Sequence, residues 1–301
     1  MILHPKLVIQ SIARRSRSAL KNFILQTPLK HPFALAGFTK PAVITGEKIV
    51  NQESVLNRHV RICKILSREL ELIRPEDRQV ACEIGAGDCL ASSDLLLGSG
   101  FQKIYVVEKP SPPLGDSQIA ILSQIAALEE LPNNLDVIEN RTSKKLDTAR
   151  VTMIEDYFEY TTLPEQVDLL FSFDVLEHVE NIPEFFEKCR LALREGGVMI
   201  HKFDLSGHGL LEDPIPPLDF QTYPDWLYGL MYPKYSRAVR NTIDVFQREI
   251  KRQGFKDIRI QPITRADSDY IDRLQPHLRK DIAHLSTEEL SMLDVVVTAS
   301  K

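Results

Sequence analysis

Cys82-Glu83-Ile84-Gly85-Ala86-Gly87-Asp88-Cys89-Leu90 is the stretch on which the reading of this chain turns. The run Gln79–Ile84 has the character of a buried strand, and Asp88 is a suitable N-cap for a helix through Leu97. A glycine turn between strand and helix brings ligands to the helix N-terminus. The dinucleotide form of that turn is Gly-x-Gly-x-x-Gly. Here the third position is Leu90, and Asp88 puts negative charge where a pyrophosphate would sit. The loop therefore suits a ligand that lacks phosphate and carries a positive centre.

Strand and helix patterns alternate from this point. Lys103–Val107 reads as a strand ending at Glu108, Gln118–Leu131 as a helix, and Val151–Ile154 as a strand ending at Glu155-Asp156. Val167–Phe173 reads as a strand ending at Asp174, Pro183–Leu193 as a helix, and Val198–Phe203 as a strand entered through Gly196-Gly197. A helix over Asn241–Gln253 and strands near Ile258–Ile260 and Asp294–Thr298 complete the pattern. Upstream, Gln52–Ile73 reads as a helix with His59 at the boundary of its apolar face, stopped by Pro75. This alternation predicts an α/β fold, a doubly wound and mostly parallel sheet with helices on both faces. Ligands of such sheets lie beyond the carboxyl ends of the strands. Those ends carry Glu83, Gly85 and Gly87, then Glu108, Asp156, Asp174 and His201. Buried carboxylates each need a partner, so acids after three successive strands point to a ligand rich in hydroxyl and amine donors.

The ordered set resembles the class I S-adenosylmethionine-dependent methyltransferases. It comprises Cys82–Asp88, Val106-Val107-Glu108, Ile154-Glu155-Asp156, Asp174–Val179 and Leu193–Val198. The resemblance implies a Rossmann-like methyltransferase fold over about Gln79 to Phe203 and S-adenosyl-L-methionine as cofactor. It also implies residue roles. Gly85 and Gly87 let the backbone approach the methionyl and ribose portions, and Glu83 lies near the loop and the ammonium group. Glu108 accepts from both ribose hydroxyls, Asp156 from the adenine amine, and Asp174 lies beside the methionyl group. Cys89 stands where many members have a third glycine, which bears on the tightness of the loop. The implied layout is a basic N-terminal helix and linker over residues 1–46 and a methyltransferase domain over 47–301. Within the latter come a helical lead-in at 52–73, the cofactor core at 79–203, an insertion at 204–240 and C-terminal strands at 255–301.

The acceptor is read from different features. An oxygen nucleophile benefits from a general base with a pKa near working pH, and His178, His201 and His208 are the candidates, with His178 and His201 foremost. The Asn/Asp-Pro-Pro-aromatic motif of many methyltransferases acting on planar nitrogens is absent, since the chain reads Ser172-Phe173-Asp174-Val175-Leu176. The insertion carries Tyr223, Trp226 and Arg240, whose rings suit a sugar or aromatic group and whose guanidinium suits an anion. A lid core is the competing reading. The insertion, with Leu285–Leu290, loosely resembles methyltransferases associated with glycan assembly. The leading expectation is O-methylation of a glycan, lipid-linked sugar or small hydroxylated metabolite. N-methylation of a protein or small molecule and a non-catalytic cofactor-binding assembly partner are the alternatives. A nicotinamide-dependent dehydrogenase fits less well because of Leu90 and Asp88.

Composition bounds the setting. The chain has 301 residues, 43% hydrophobic and 26% charged, with a net charge of −5, an ordinary globular balance that gives no basis for nucleic-acid binding. Four cysteines without Cys-x-x-Cys spacing read as reduced thiols, which favours a cytoplasmic setting, and no metal site is expected. No acidic residue occurs before Glu47, and Arg14, Arg15, Arg17 and Lys21 lie in a stretch with helical apolar spacing. Three readings stay open for it: a packed helix with a solvated basic face, peripheral contact with an anionic membrane through residues 6–27, and an organellar transit peptide.

Overall fold

The computed structural model describes residues 52–109, 114–139, 145–207, 217–226, 228 and 239–301. The basic N-terminal segment and linker at 1–46, and His208, lie outside them. Two compact units form. The larger runs to Asp204 and takes in Val245–Pro262 and Val295–Lys301; the smaller comprises Leu205–Asp244 and Ile263–Asp294 among the described residues.

Seven strands form one sheet: β1 Val80–Ile84, β2 Lys103–Val107, β3 Val151–Ile154, β4 Val167–Phe173, β5 Leu193–Asp204, β6 Lys256–Pro262 and β7 Asp294–Ser300. Their order is β3-β2-β1-β4-β5-β7-β6, with β1 to β5 parallel and β6 antiparallel to β7. Gly196 N donates to Lys301 O, and beyond the other end of β5 Leu205 N donates to Leu293 O, so β7 runs against β5. Parallel strands covered on both faces lose the alternation of polar and apolar residues, and every residue of β4 is buried. The doubly wound, mostly parallel sheet anticipated from the sequence is the observed architecture.

Among the described residues the α-helices of the larger unit are α1 Gln52–Glu69, α2 Ala91–Gly98, α3 Asp116–Ala126, α4 Ile182–Ala192 and α5 Ile243–Arg252, whose first two residues belong to the smaller unit. Helix α1 buries Ile62, Cys63 and Leu66 and turns Arg61, Lys64 and Arg68 outward, as its 3.6-residue period requires. Asn181 caps α4 by accepting from Glu184 N at 3.3 Å. The four cysteines are free and buried.

Two sequence expectations need correction. Gly196-Gly197 does not lead into β5, because Leu193 already pairs with Val167, and the register shifts before Val198 meets Leu169. The glycines therefore form a bulge within the strand, with Gly196 at φ +75°. Nor is His201 at the strand end, since β5 continues to Asp204.

The smaller unit has its own core, in which Phe220, Tyr223 and Tyr228 pack with Ile271, Leu274 and Leu290. Two short helices border it, α6 Ser268–Leu274 and α7 Thr287–Ser291. Asp267 caps α6, and Ser286 with Glu289 forms a capping box on α7. Among the described residues no helix is long and apolar enough to cross a membrane.

Candidate functional site

The chain runs from β1 outward to β2 and β3, then returns to lay β4 and β5 on the other side of β1. This reversal opens a crevice at the carboxyl ends of β1 and β4. The parallel ladder continues past the strands and fixes what lines it: Gly85 N donates to Val107 O at 3.0 Å, Glu108 N to Ile154 O at 3.1 Å and Asp174 N to Lys202 O at 2.9 Å.

The loop after β1 needs its glycines. Gly85 and Gly87 have φ of +75° and +66°, a region in which a Cβ crowds the carbonyl. A Cβ on Gly85 would also overlap the Val175 side chain. Glu108 joins this loop directly, its Oε2 accepting from Gly87 N at 2.8 Å and its Oε1 from Lys109 N at 2.9 Å. Burial raises its pKa above the usual carboxylate value. Each oxygen keeps a further lone pair for a ligand donor.

The polar groups form one continuous rim. Asp156 accepts from Tyr157 N at 2.8 Å and lies 3.9 Å from Lys109 Nζ, next to Glu108. On the other side of the loop, Arg58 of α1 lies 4.0 Å from Asp88 and 3.4 Å from Asp174. Asp174, at φ +57°, also accepts from Lys202 Nζ at 2.5 Å. Burial works to raise the Asp174 pKa, but Lys202 and then Arg58 outweigh it and hold the carboxyl below its usual range. The sequence reading missed Arg58 and Lys202.

Glu83 does not line this rim. Its carboxylate accepts from Ser92 and Ser93 at the start of α2, and only 4% of the residue is exposed. Burial pushes its pKa up to about 7 against the lowering effect of the two hydroxyls. Glu83 thus anchors the helix below the loop, which corrects its placement beside an ammonium group.

The two foremost histidines part company. His178 is exposed in the short 3-10 turn Leu176–His178 that follows Asp174. His201 is fully buried, its Nδ1 2.8 Å from Ser172 Oγ and its ring edge-on to Phe185 and Phe186. A general base must reach the acceptor, so His201 is a core residue and not a catalyst. Burial lowers its pKa to about 3, and lowers that of His59 on α1 to about 4 with help from Arg58. Among the described residues, neither ring nitrogen of His59 has a hydrogen-bond partner.

These histidines set a pH dependence. Between pH 6.5 and 3 the unfolded chain protonates at position 201 while the folded chain does not. Stability therefore falls as pH drops through that window, by up to about 1.4 kcal/mol per pH unit from this group. His59 acts in the same direction down to about pH 4, and Glu83 opposes both between 4.5 and 7. Denaturant unfolding across this range should show a shallower acid loss for His201→Gln than for the unaltered protein.

The remaining sequence candidates belong to the smaller unit. Tyr223 is buried in its core. Arg240 donates to Gln221 O at 3.1 Å and Tyr223 O at 2.5 Å, pairs with Asp225 at 3.0 Å, and lies over the Tyr228 ring. Both therefore hold this unit together, which corrects their reading as acceptor contacts. Trp226 is 68% exposed.

Residues 114–201 match the family model described as a methyltransferase domain. That stretch is similar to a methyltransferase domain. The matched stretch holds Asp156, Asp174 and His178; the glycine loop and Glu108 lie upstream of it. Similar solved structures include phosphoethanolamine N-methyltransferase 2 of Haemonchus contortus in complex with S-adenosyl-L-methionine, with 18% identity and a TM-score of 0.44 over 81% of this chain and 52% of that one. An S-adenosylmethionine-dependent methyltransferase from Mesorhizobium loti shows 15% identity and a TM-score of 0.45 over 82% of this chain and 100% of that one. An O-methyltransferase family protein from Burkholderia thailandensis shows 9% identity and a TM-score of 0.43, over 83% and 59%. This chain spans about half the length of the Haemonchus enzyme. No curated protein matches it. The rim residues fit S-adenosylmethionine, the cofactor of this type of domain: carboxylates for its hydroxyls and amines, glycines for close approach, and a cation at one end.

Proposed function

We propose that this protein transfers a methyl group from S-adenosylmethionine to a small-molecule acceptor, and that the acceptor atom is a hydroxyl oxygen. The reading rests chiefly on Glu108, which closes an apolar strand yet turns its carboxylate onto the glycine loop at 2.8 Å from Gly87 N. Glu108 would hold the ribose hydroxyls, Asp156 the adenine amine and Asp174 the amino-acid end, with Gly85 and Gly87 giving the backbone close access. The bound cofactor supplies an electrophilic methyl group on a sulfonium. The chain's contribution is then positioning, together with removal of the acceptor's proton.

His178 is the group proposed for that proton, being exposed and four residues beyond Asp174. Trp226, within the smaller unit, is proposed to offer its exposed ring to a sugar or other ring. A glycan, a lipid-linked sugar and a small hydroxylated metabolite all present such a hydroxyl. Screening these with labelled cofactor identifies the acceptor.

Glu108→Ala tests the cofactor half of the proposal. It removes hydrogen bonds to a charged acceptor, each of about 1.5–3 kcal/mol. Calorimetry should show affinity for S-adenosylhomocysteine reduced at least tenfold in a protein that still folds. Unchanged affinity would remove Glu108 from the ribose site.

A further inference from the structure

We infer that Gln221 and Arg279, beside Arg240, form a binding site for a phosphate-class oxyanion within the smaller unit. The inference goes beyond the proposed methyl transfer and does not depend on it.

Three separate pieces of chain meet here, all of them in the smaller unit. Gln221 lies in the 3-10 turn Asp219–Thr222, and its carbonyl accepts from Arg240 Nη2 at 3.1 Å and from Arg279 N at 3.3 Å. Arg279 Nη2 in turn donates to Arg240 O at 2.7 Å. Two guanidinium groups are thereby drawn together. Burial, and next the charge of Arg279, lower the Arg240 pKa to about 10 against the raising effect of Asp225. Each cation has a carboxylate, Asp225 3.0 Å from Arg240 and Asp281 3.3 Å from Arg279, but both acids are exposed, whereas the two arginine side chains are only 7% and 21% exposed. The negative charge here is hydrated and the positive charge largely is not. A buried charge calls for a partner at its own depth.

Polar atoms left over point the same way. Among the described residues, Nε2 and Oε1 of the buried Gln221 side chain and Nε of Arg279 are buried without a hydrogen-bond partner. Leaving such atoms unmet is costly. A water molecule would meet them and leave the charge unbalanced; an oxyanion does both, accepting from the Arg279 Nε–H and from the Gln221 amide. Gln221 Oε1 needs a donor as well, which hydrogen phosphate carries on its own hydroxyl and a sugar phosphate on its sugar. Arg240 adds charge, its terminal nitrogens being spent on the unit's own chain.

Calorimetry of the full chain with inorganic phosphate should show saturable binding that persists in Glu108→Ala. Arg279→Gln should weaken it about tenfold or more, the loss of a charged hydrogen-bond donor. Gln221→Leu separates a ligand site from a packing flaw, and carries the test should the Arg279 variant not fold. It removes an unmet carboxamide, so its melting temperature without phosphate should equal or exceed that of the unaltered protein, while phosphate affinity falls about fivefold. Glucose 1-phosphate, run alongside, tells the source of the anion: tighter binding than inorganic phosphate assigns an esterified phosphate, weaker binding the free ion. Absence of binding by both probes, phosphate affinity unchanged in both variants, or loss of phosphate binding in Glu108→Ala overturns the site.

Discussion

Asp168→Ala should cost about 3 kcal/mol of stability and lower the melting temperature by roughly 6–12 °C. Asp168 lies in β4, is 5% exposed, and accepts from Val80 N at 2.6 Å and Gln79 N at 3.1 Å. Its other oxygen pairs with Arg194. One carboxylate thus fixes where β1 begins beside β4. Removing one side of a buried ion pair costs about 3–5 kcal/mol. The Arg194 side chain is 39% exposed and also pairs with Asp77, so solvent softens its loss and the lower end applies. Asp168→Asn keeps an acceptor for the strand amides and should lose about half as much. Thermal unfolding of the two variants checks this ordering; equal, small losses would mean that the carboxylate does not set the register.

Gly85→Ala should damage both fold and site. The positive φ costs roughly 1–2 kcal/mol for a residue with a Cβ, and overlap with Val175 adds about 1–3 kcal/mol by overpacking. A combined loss of about 3 kcal/mol is expected, with affinity for S-adenosylhomocysteine reduced more than tenfold because the loop must shift. Gly196 supplies the control. It has the same φ of +75° but nothing within 4 Å of a built Cβ, so Gly196→Ala should cost only the backbone term and leave binding unchanged. Similar losses in both variants would mean that Val175 moves aside and that the loop tolerates a side chain.

The sheet was legible because strands buried on both faces appear as continuous apolar runs, and because a parallel ladder ends each strand at a polar residue. Glu108, Asp156 and Asp174 stand out for that reason. Partners remote in sequence did not stand out. Nothing local to Arg58 tells that this one basic residue of α1 turns to the loop while Arg61 and Lys64 face solvent. Lys202 is hidden in a buried strand, and its ion pair with Asp174 joins residues 28 apart in sequence. Ser92 and Ser93 explain Glu83, yet serines at a helix start read first as caps. His201 was misplaced because a histidine near the end of a strand does not tell from sequence that its ring turns inward against Phe185 and Phe186. Helix α7 did carry a local signal, the Ser286-x-x-Glu289 capping box. Arg240 illustrates the opposite difficulty, since a guanidinium that binds its own backbone carbonyls is indistinguishable in sequence from one awaiting an anion.

The most direct measurement of the central claim is titration calorimetry of the unaltered full chain with S-adenosylmethionine, S-adenosylhomocysteine and NADH. The geometry of the rim predicts that both adenosyl ligands bind one site, and that each raises the melting temperature as its concentration exceeds Kd. NADH, which brings a pyrophosphate to Asp88, should not bind. Binding of NADH with no heat from either adenosyl ligand would contradict the assignment of this crevice to S-adenosylmethionine.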